Sequence, residues 1–228
     1  MTDHLHREGA AAWDIAPAVL SVLEREVKPG SVTLETGAGR STVVFARQGA
    51  RHHCVTPSED EVARITAHCA AEGVRLDQVS FHVGFSQDVL PCLETPSLDV
   101  ALIDGGHGFP IPAVDWQYIA PKLKVGGVLI IDDVDLWTGS MIVEFLRGEA
   151  AWKEEGILRG RSAVFRLVAP FTPHEWTKQP TVVAKSRWTQ TRRKAMNALG
   201  LVMSGRIGEI GGKLANERRL AEAAKRDY

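Results

Sequence analysis

Val100-Ala101-Leu102-Ile103 and Val128-Leu129-Ile130-Ile131 are two uninterrupted apolar runs, the first followed by Asp104-Gly105-Gly106-His107 and the second by Asp132-Asp133. Runs this short, without polar alternation, suit strands buried on both faces, as a parallel sheet requires. Working outward, strands are expected over Ser31 to Glu35, His52 to Val55, Val79 to Val83, Leu98 to Asp104 and Gly127 to Asp132. Helical patterns lie between them. Pro17 opens a first helix to about Val27, with Val19, Leu20, Leu23 and Val27 on one face, and Lys28-Pro29-Gly30 stops it. Others start near Ser41, at Ser58 with a Ser-to-Glu61 capping box, after Ser86, and over roughly Ile111 to Leu123. This βαβα alternation predicts a doubly wound α/β sheet. After a helix at about Thr138 to Leu146, Trp152 to Arg159 and Ser162 to Val168 fit an antiparallel hairpin around Gly160, so the sheet should end in a reversed strand.

The chain has 228 residues, 44% hydrophobic, with 27 Lys+Arg against 28 Asp+Glu, a balance that would disfavour polyanion binding if it were evenly spread. It is not: residues 1–170 carry 15 basic and 23 acidic side chains, and residues 171–228 carry 12 basic and 5 acidic. The change falls at Pro170-Phe171-Thr172-Pro173, where prolines interrupt regular structure, so a domain over 1–170 and a basic, helical extension over 171–228 are expected. Cys54, Cys69 and Cys92 are odd in number and lack metal-ligand spacing, which reads as reduced thiols and a cytoplasmic location. The opening Met1 to Glu8 is polar, unlike a signal peptide, and no stretch approaches the ~20 apolar residues of a membrane span.

Ligands of an open α/β sheet sit beyond the carboxyl ends of its strands, near the point where strand order reverses. Four motifs occupy such ends. Glu35-Thr36-Gly37-Ala38-Gly39-Arg40-Ser41-Thr42 follows the first strand, where glycines let the backbone approach a ligand and the helix start offers unpaired N–H groups. It has neither the third glycine of a dinucleotide site nor the Gly-Lys-Ser/Thr of a P-loop. By itself it also fits a tight turn capped by Ser41. Gly84-Phe85-Ser86-Gln87-Asp88 follows the third strand; the remaining two are Leu102 to His107 and Gly126 to Asp133.

In this order and spacing the four motifs resemble class I S-adenosylmethionine-dependent methyltransferases, most of all the catechol-O-methyltransferase-like branch and the bacterial type 24 group, over residues 15–168. The resemblance implies a seven-stranded, mostly parallel sheet ending in an antiparallel hairpin. It implies that Glu35, Gly37, Gly39 and Ser41 surround the methionine moiety of the cofactor, and that Gly84, Ser86 and Gln87 serve the adenine, where a hydroxyl and an amide suit a ring with donor and acceptor atoms. Relatives usually end the second strand with an acid for the ribose hydroxyls. Here the position is Thr56. Its hydroxyl or backbone takes the ribose, or Glu59 reaches in from the helix start, or affinity is weak; Glu59 otherwise serves only the helix dipole.

The resemblance further implies that Asp104, besides touching cofactor, joins Asp132 and Asp133 around a magnesium or calcium ion. Three converging carboxylates repel one another, and a hard cation relieves them. Convergence of Asp132 and Asp133 requires the strand to have ended, since successive strand residues point to opposite faces; failing that, Asp104 and Asp132 cap turns while Asp133 and Asp135 are solvated. His107 stands where the catechol-type enzymes have a lysine base, and an imidazole can take a hydroxyl proton at neutral pH; its alternative is a loop histidine bonded to Asp104 or backbone. The implied reaction is methyl transfer to a hydroxyl of a small molecule, with His107 and Asp104 as catalytic residues. The rival is a binding or scaffold protein that keeps the fold without the chemistry, supported by the missing ribose acid.

In the extension, Trp188, Met196, Leu199 and Met203 are expected near one helical face opposite Arg192, Arg193 and Lys194, with a second helix expected over Gly212 to Arg226. Packing on the chain's own domain or in a homo-oligomer is one expectation. Contact with an anionic membrane surface or a nucleic acid is the other.

Overall fold

The computed structural model describes residues 15–205 together with 212, 215, 216 and 219. The chain divides into two compact units, Met1–His174 and Glu175–Tyr228. The first unit contains α1 (Pro17–Glu26), β1 (Val32–Thr36), α2 (Arg40–Arg47), β2 (Arg51–Thr56), α3 (Glu59–Ala71), β3 (Val79–Val83), α4 (Ser86–Val89), β4 (Leu98–Ile103), α5 (Ile111–Ile119), β5 (Leu123–Ile131), α6 (Trp137–Gly148), β6 (Trp152–Leu158) and β7 (Ser162–Leu167). Its seven strands form one sheet in the order β3-β2-β1-β4-β5-β7-β6. β1 to β5 run parallel, and β7 is antiparallel to both β5 and β6.

The two apolar runs that begin the sequence argument are central strands, paired residue for residue from Val100↔Val128 to Ile103↔Ile131. Alternation sends their side chains to two different cores. Val100, Leu102, Val128 and Ile130 pack with Val19, Leu23 and Phe45 of α1 and α2. Ala101, Ile103, Leu129 and Ile131 pack with Ile119 of α5 and Ile142, Val143 and Leu146 of α6. Helices therefore cover both faces, which is why the runs contain no polar residue. Edge strands differ: β6 alternates buried or half-buried with exposed positions, and no residue of β3 is fully buried.

Several elements depart from the sequence reading. β5 begins at Leu123, ahead of the expected Gly127, because Gly126 at φ +90° accommodates a register shift opposite Leu98 to Val100 and lets the strand continue through the glycine pair. α4 is a single turn, consistent with Pro91 supplying no backbone donor just beyond it. The capping box of α3 is half formed. Ser58 Oγ accepts from the Glu61 N–H at 3.2 Å, but the Glu61 carboxylate accepts from the Thr56 hydroxyl at 2.9 Å instead of returning to Ser58, whose own N–H donates to Thr56 Oγ1. The body also runs past Pro170. Phe171 packs among Trp116, Phe145 and Trp152 with ring centroids 5.7 to 6.4 Å away, which holds the chain to the first unit as far as His174.

In the second unit a 24-residue helix, α7 (Pro180–Met203), follows a short turn at Trp176–Lys178. The helix expected over Gly212 to Arg226 lies largely outside the described residues.

Candidate functional site

Strand order reverses between β1 and β4, whose neighbours lie on opposite sides, and the chain ends of these two strands diverge there. Gly37 turns the chain away from β1 at φ +89°. A Cβ on it would stand 2.2 Å from the carbonyl oxygen of Asp104, so only glycine lets the β1 turn pass the β4 end. Gly105 answers from the other side, its missing Cβ leaving room for Thr36 at 3.1 Å. Above this crossing opens a cavity of about 600 Å³.

The wall of the cavity gathers most of the residues singled out in the sequence. Gly37, Gly39 and Ser41 come from the β1–α2 turn, Thr56 from the end of β2, Ser86 and Gln87 from α4, and Asp104 and His107 from the loop after β4. Glu35 is not on the wall. It is 1% exposed and turned inward, where its two oxygens accept from the Ser41 hydroxyl at 2.6 Å and from the Thr42 hydroxyl, with His52 Nε2 at 3.1 Å. His52 is fixed in turn by Thr33 and by stacking on Phe45 at 4.2 Å. Glu35 therefore acts on the cavity from behind its wall, orienting Ser41 directly and Gly39 through Thr42, whose Oγ1 accepts from the Gly39 N–H. Gly84 is also off the wall; a Cβ there would meet Val89 at 2.8 Å, so it serves the packing of α4. Glu59 is exposed on the outside of α3 and does not reach in.

Two residues that the sequence reading passed over stand at this site. Glu61 lines the cavity, held by Thr56, so a carboxylate is present beside the end of β2 although the strand itself ends in threonine. The spacing of the capping box had placed Glu61 in the first turn of α3, but its carboxylate was expected to fold back on Ser58. Asp115 of α5 is the other: fully buried, it faces the hydroxyls of Ser86 and Thr36 without reaching hydrogen-bond geometry to either. Burial pushes its pKa up.

At the far end, β5 stops at Ile131, and Asp133 takes a left-handed backbone conformation at φ +50°. The two neighbouring aspartates therefore diverge. Asp132 accepts the Ser162 hydroxyl, whereas Asp133 brings Oδ2 to 3.0 Å from His107 Nε2 and Oδ1 to 2.6 Å from Arg161 Nε. Arg161 arrives from the turn between β6 and β7, so the reversed hairpin delivers a cation to the carboxylates. The His107 loop is itself tied to α6, the Thr138 hydroxyl donating to its carbonyl at 2.8 Å. Burial, then Asp132, Asp133 and Glu35, push the Asp104 carboxyl well above its usual range, with Arg161 pulling it back. Asp132 is raised by burial and by Asp133.

The ligand atoms that converge within 4.8 Å belong to Asp104, His107 and Asp133, so an imidazole replaces Asp132 in the expected set. Asp132 Oδ2 is buried without a hydrogen-bond partner, and the Asp104, His107 and Asp133 donor set fits a divalent cation. The cradle for a larger ligand is also built, by the two glycines whose Cβ atoms would fill the crossing.

The family described as a methyltransferase domain matches residues 34–134, the stretch from β1 to the Asp132-Asp133 turn. No curated protein matches the chain. Among solved structures, the O-methyltransferase TomG from Streptomyces achromogenes, in complex with S-adenosylmethionine, is 17% identical, with 69% of this chain and 82% of that one covered at a TM-score of 0.58. The cofactor-bound protein Rv0187 from MTB is 17% identical, with 68% and 82% covered and a TM-score of 0.58. An rRNA methylase from Streptococcus thermophilus is 13% identical, with 67% and 95% covered and a TM-score of 0.54. At such identities these structures speak for the fold, and the matched segment speaks for the family. Residues 34–134 thus match the methyltransferase-domain family, and the sheet they build has the fold of these solved methyltransferase structures.

Proposed function

We propose that the protein transfers the methyl group of S-adenosylmethionine to a hydroxyl oxygen of a small molecule. The observation that carries the reading is one cavity whose wall joins the glycine turn and the Ser86-Gln87 pair at one end to Asp104 and His107 at the other. Bound there, S-adenosylmethionine supplies an electrophilic methyl group on a sulfonium that leaves as a neutral thioether.

The chain's own part is to hold, orient and take a proton. Ser41, fixed by Glu35, and the backbone at Gly37 and Gly39 hold the amino-acid end; Ser86 and Gln87 hold the base. Glu61 takes the ribose hydroxyls, a role that its place on the cavity wall beside Thr56 supports. With Nε2 turned to Asp133, His107 keeps Nδ1 as the atom that accepts the hydroxyl proton. A base so placed contributes about 10²- to 10⁴-fold. A divalent cation on Asp104 and Asp133 would supply a Lewis acid that lowers the pKa of the hydroxyl. The free thiols of Cys54, Cys69 and Cys92 accord with a reducing cytoplasm, the compartment we propose.

A thermal-shift panel tests the reading. S-adenosylmethionine and S-adenosylhomocysteine should each raise the unfolding temperature, and NAD should not; a shift with NAD alone would reject the proposal. With hydroxylated acceptors followed by S-adenosylhomocysteine release, His107→Ala should lower turnover about 10²- to 10⁴-fold while the product's thermal shift is unchanged. Chelation should lower turnover; full activity after chelation removes the cation from the proposal and leaves the base.

A further inference from the structure

We propose that α7 is a surface anchor for anionic lipid bilayers. Its 24 residues include Lys185, Arg187, Arg192, Arg193 and Lys194 and not one Asp or Glu. Large apolar side chains stand out among these cations: Trp188 is 65% exposed, Met196 62%, Leu199 52% and Met203 81%. At 3.6 residues per turn these four fall within roughly 80° of one another around the axis. Arg192, expected on the opposite face, lies in the same arc because four residues turn the helix by only about 40° beyond a full turn, and its guanidinium is 5.6 Å over the Trp188 ring.

Each alternative occupant leaves part of this pattern unused. A second copy of α7 laid on this arc would bring Lys185 and Arg192 of each helix against the like charges of the other. A nucleic acid would meet the cations and could stack on Trp188, but it offers nothing to Met196, Leu199 and Met203. The headgroup boundary of an anionic bilayer uses both sets, because the apolar side chains enter it while long Lys and Arg side chains snorkel to the phosphates. Tryptophan stacked under arginine, apolar at one edge and polar at the other, suits that boundary. No described helix is long and apolar enough to cross a membrane, so α7 would lie on the surface.

The test is co-sedimentation of the full chain with phosphatidylcholine vesicles, with and without phosphatidylglycerol. The chain should pellet with the anionic vesicles only, and less as salt rises. Trp188→Ser combined with Met203→Ser, and separately Arg192→Glu combined with Arg193→Glu, should each lower partitioning at least about tenfold. Because these side chains are exposed, the unfolding temperature should not move, which separates lost binding from lost folding. Equal binding to neutral vesicles, or none to either, overturns the proposal. So does a dimer that Met196→Asp dissociates without any vesicle binding, or an RNA that binds equally well after Trp188 and Met203 are replaced.

Discussion

Glu61 and Asp115 are both carboxylates beside the cavity, and their surroundings set them apart. Glu61 is offered a hydroxyl by Thr56 and lines the space. Replacing it with Gln removes a charge-assisted contact worth about 1.5–3 kcal/mol, so S-adenosylhomocysteine should bind about ten- to a hundredfold more weakly by calorimetry. An unchanged affinity would take the ribose role from Glu61. Asp115 lies behind the wall, with no hydrogen bond to either oxygen. Its pKa is raised by burial, so the folded chain holds a proton at pH values where the unfolded chain has released it, and stability falls as pH rises above the ordinary carboxylate range. Asp115→Asn should therefore raise the urea midpoint at pH 7 and flatten that decline. A lower midpoint at pH 7 would mean that the ionised carboxylate has a partner.

At the scale of elements, the β1–α2 turn and the β2–β3 pair make separate demands. Gly37→Ala adds a Cβ in a left-handed position 2.2 Å from the Asp104 carbonyl, and both ends of the crossing must shift. The backbone conformation alone costs about 1–2 kcal/mol, so the urea midpoint should fall and the S-adenosylhomocysteine shift should disappear with it. Between β2 and β3, His53 Nδ1 and His82 Nε2 are 3.1 Å apart. Burial first, then His82, His52 and Lys122, hold His53 down to about 4, and His82 is lowered by burial and by His52. Between the unfolded value near 6.5 and about 4 the unfolded chain binds a proton that the folded chain refuses. Stability should be lost as pH falls through this window, and His53→Gln should flatten part of that slope in urea titrations.

The same elements mark how far the sequence could be read. The central strands and the turns at their ends were legible because burial on both faces leaves uninterrupted apolar runs and a sharp strand-to-helix turn selects glycine. The direction of Glu61 was not, since Thr56 and Ser58 compete for one carboxylate only after α3 has packed. Nor was the parting of Asp132 from Asp133, which depends on a single left-handed residue, or the arrival of Arg161, which requires the hairpin to be in register.

For the molecule as a whole, the first unit contains the sheet, both main cores and the cavity, and its last anchor is Phe171 in the aromatic cluster. A chain ending at His174 should unfold in one cooperative transition and keep the S-adenosylhomocysteine thermal shift. Loss of that shift with the fold intact would assign the second unit a part in ligand binding. Arg161 has a broader consequence. It lines no part of the cavity, yet it holds one oxygen of Asp133 while the other faces His107. A substitution in the β6–β7 turn can thus change the charge around the Asp133 carboxylate that faces His107 without altering the shape of the cavity wall, so the electrostatics of this end and the fit of a ligand are free to evolve separately.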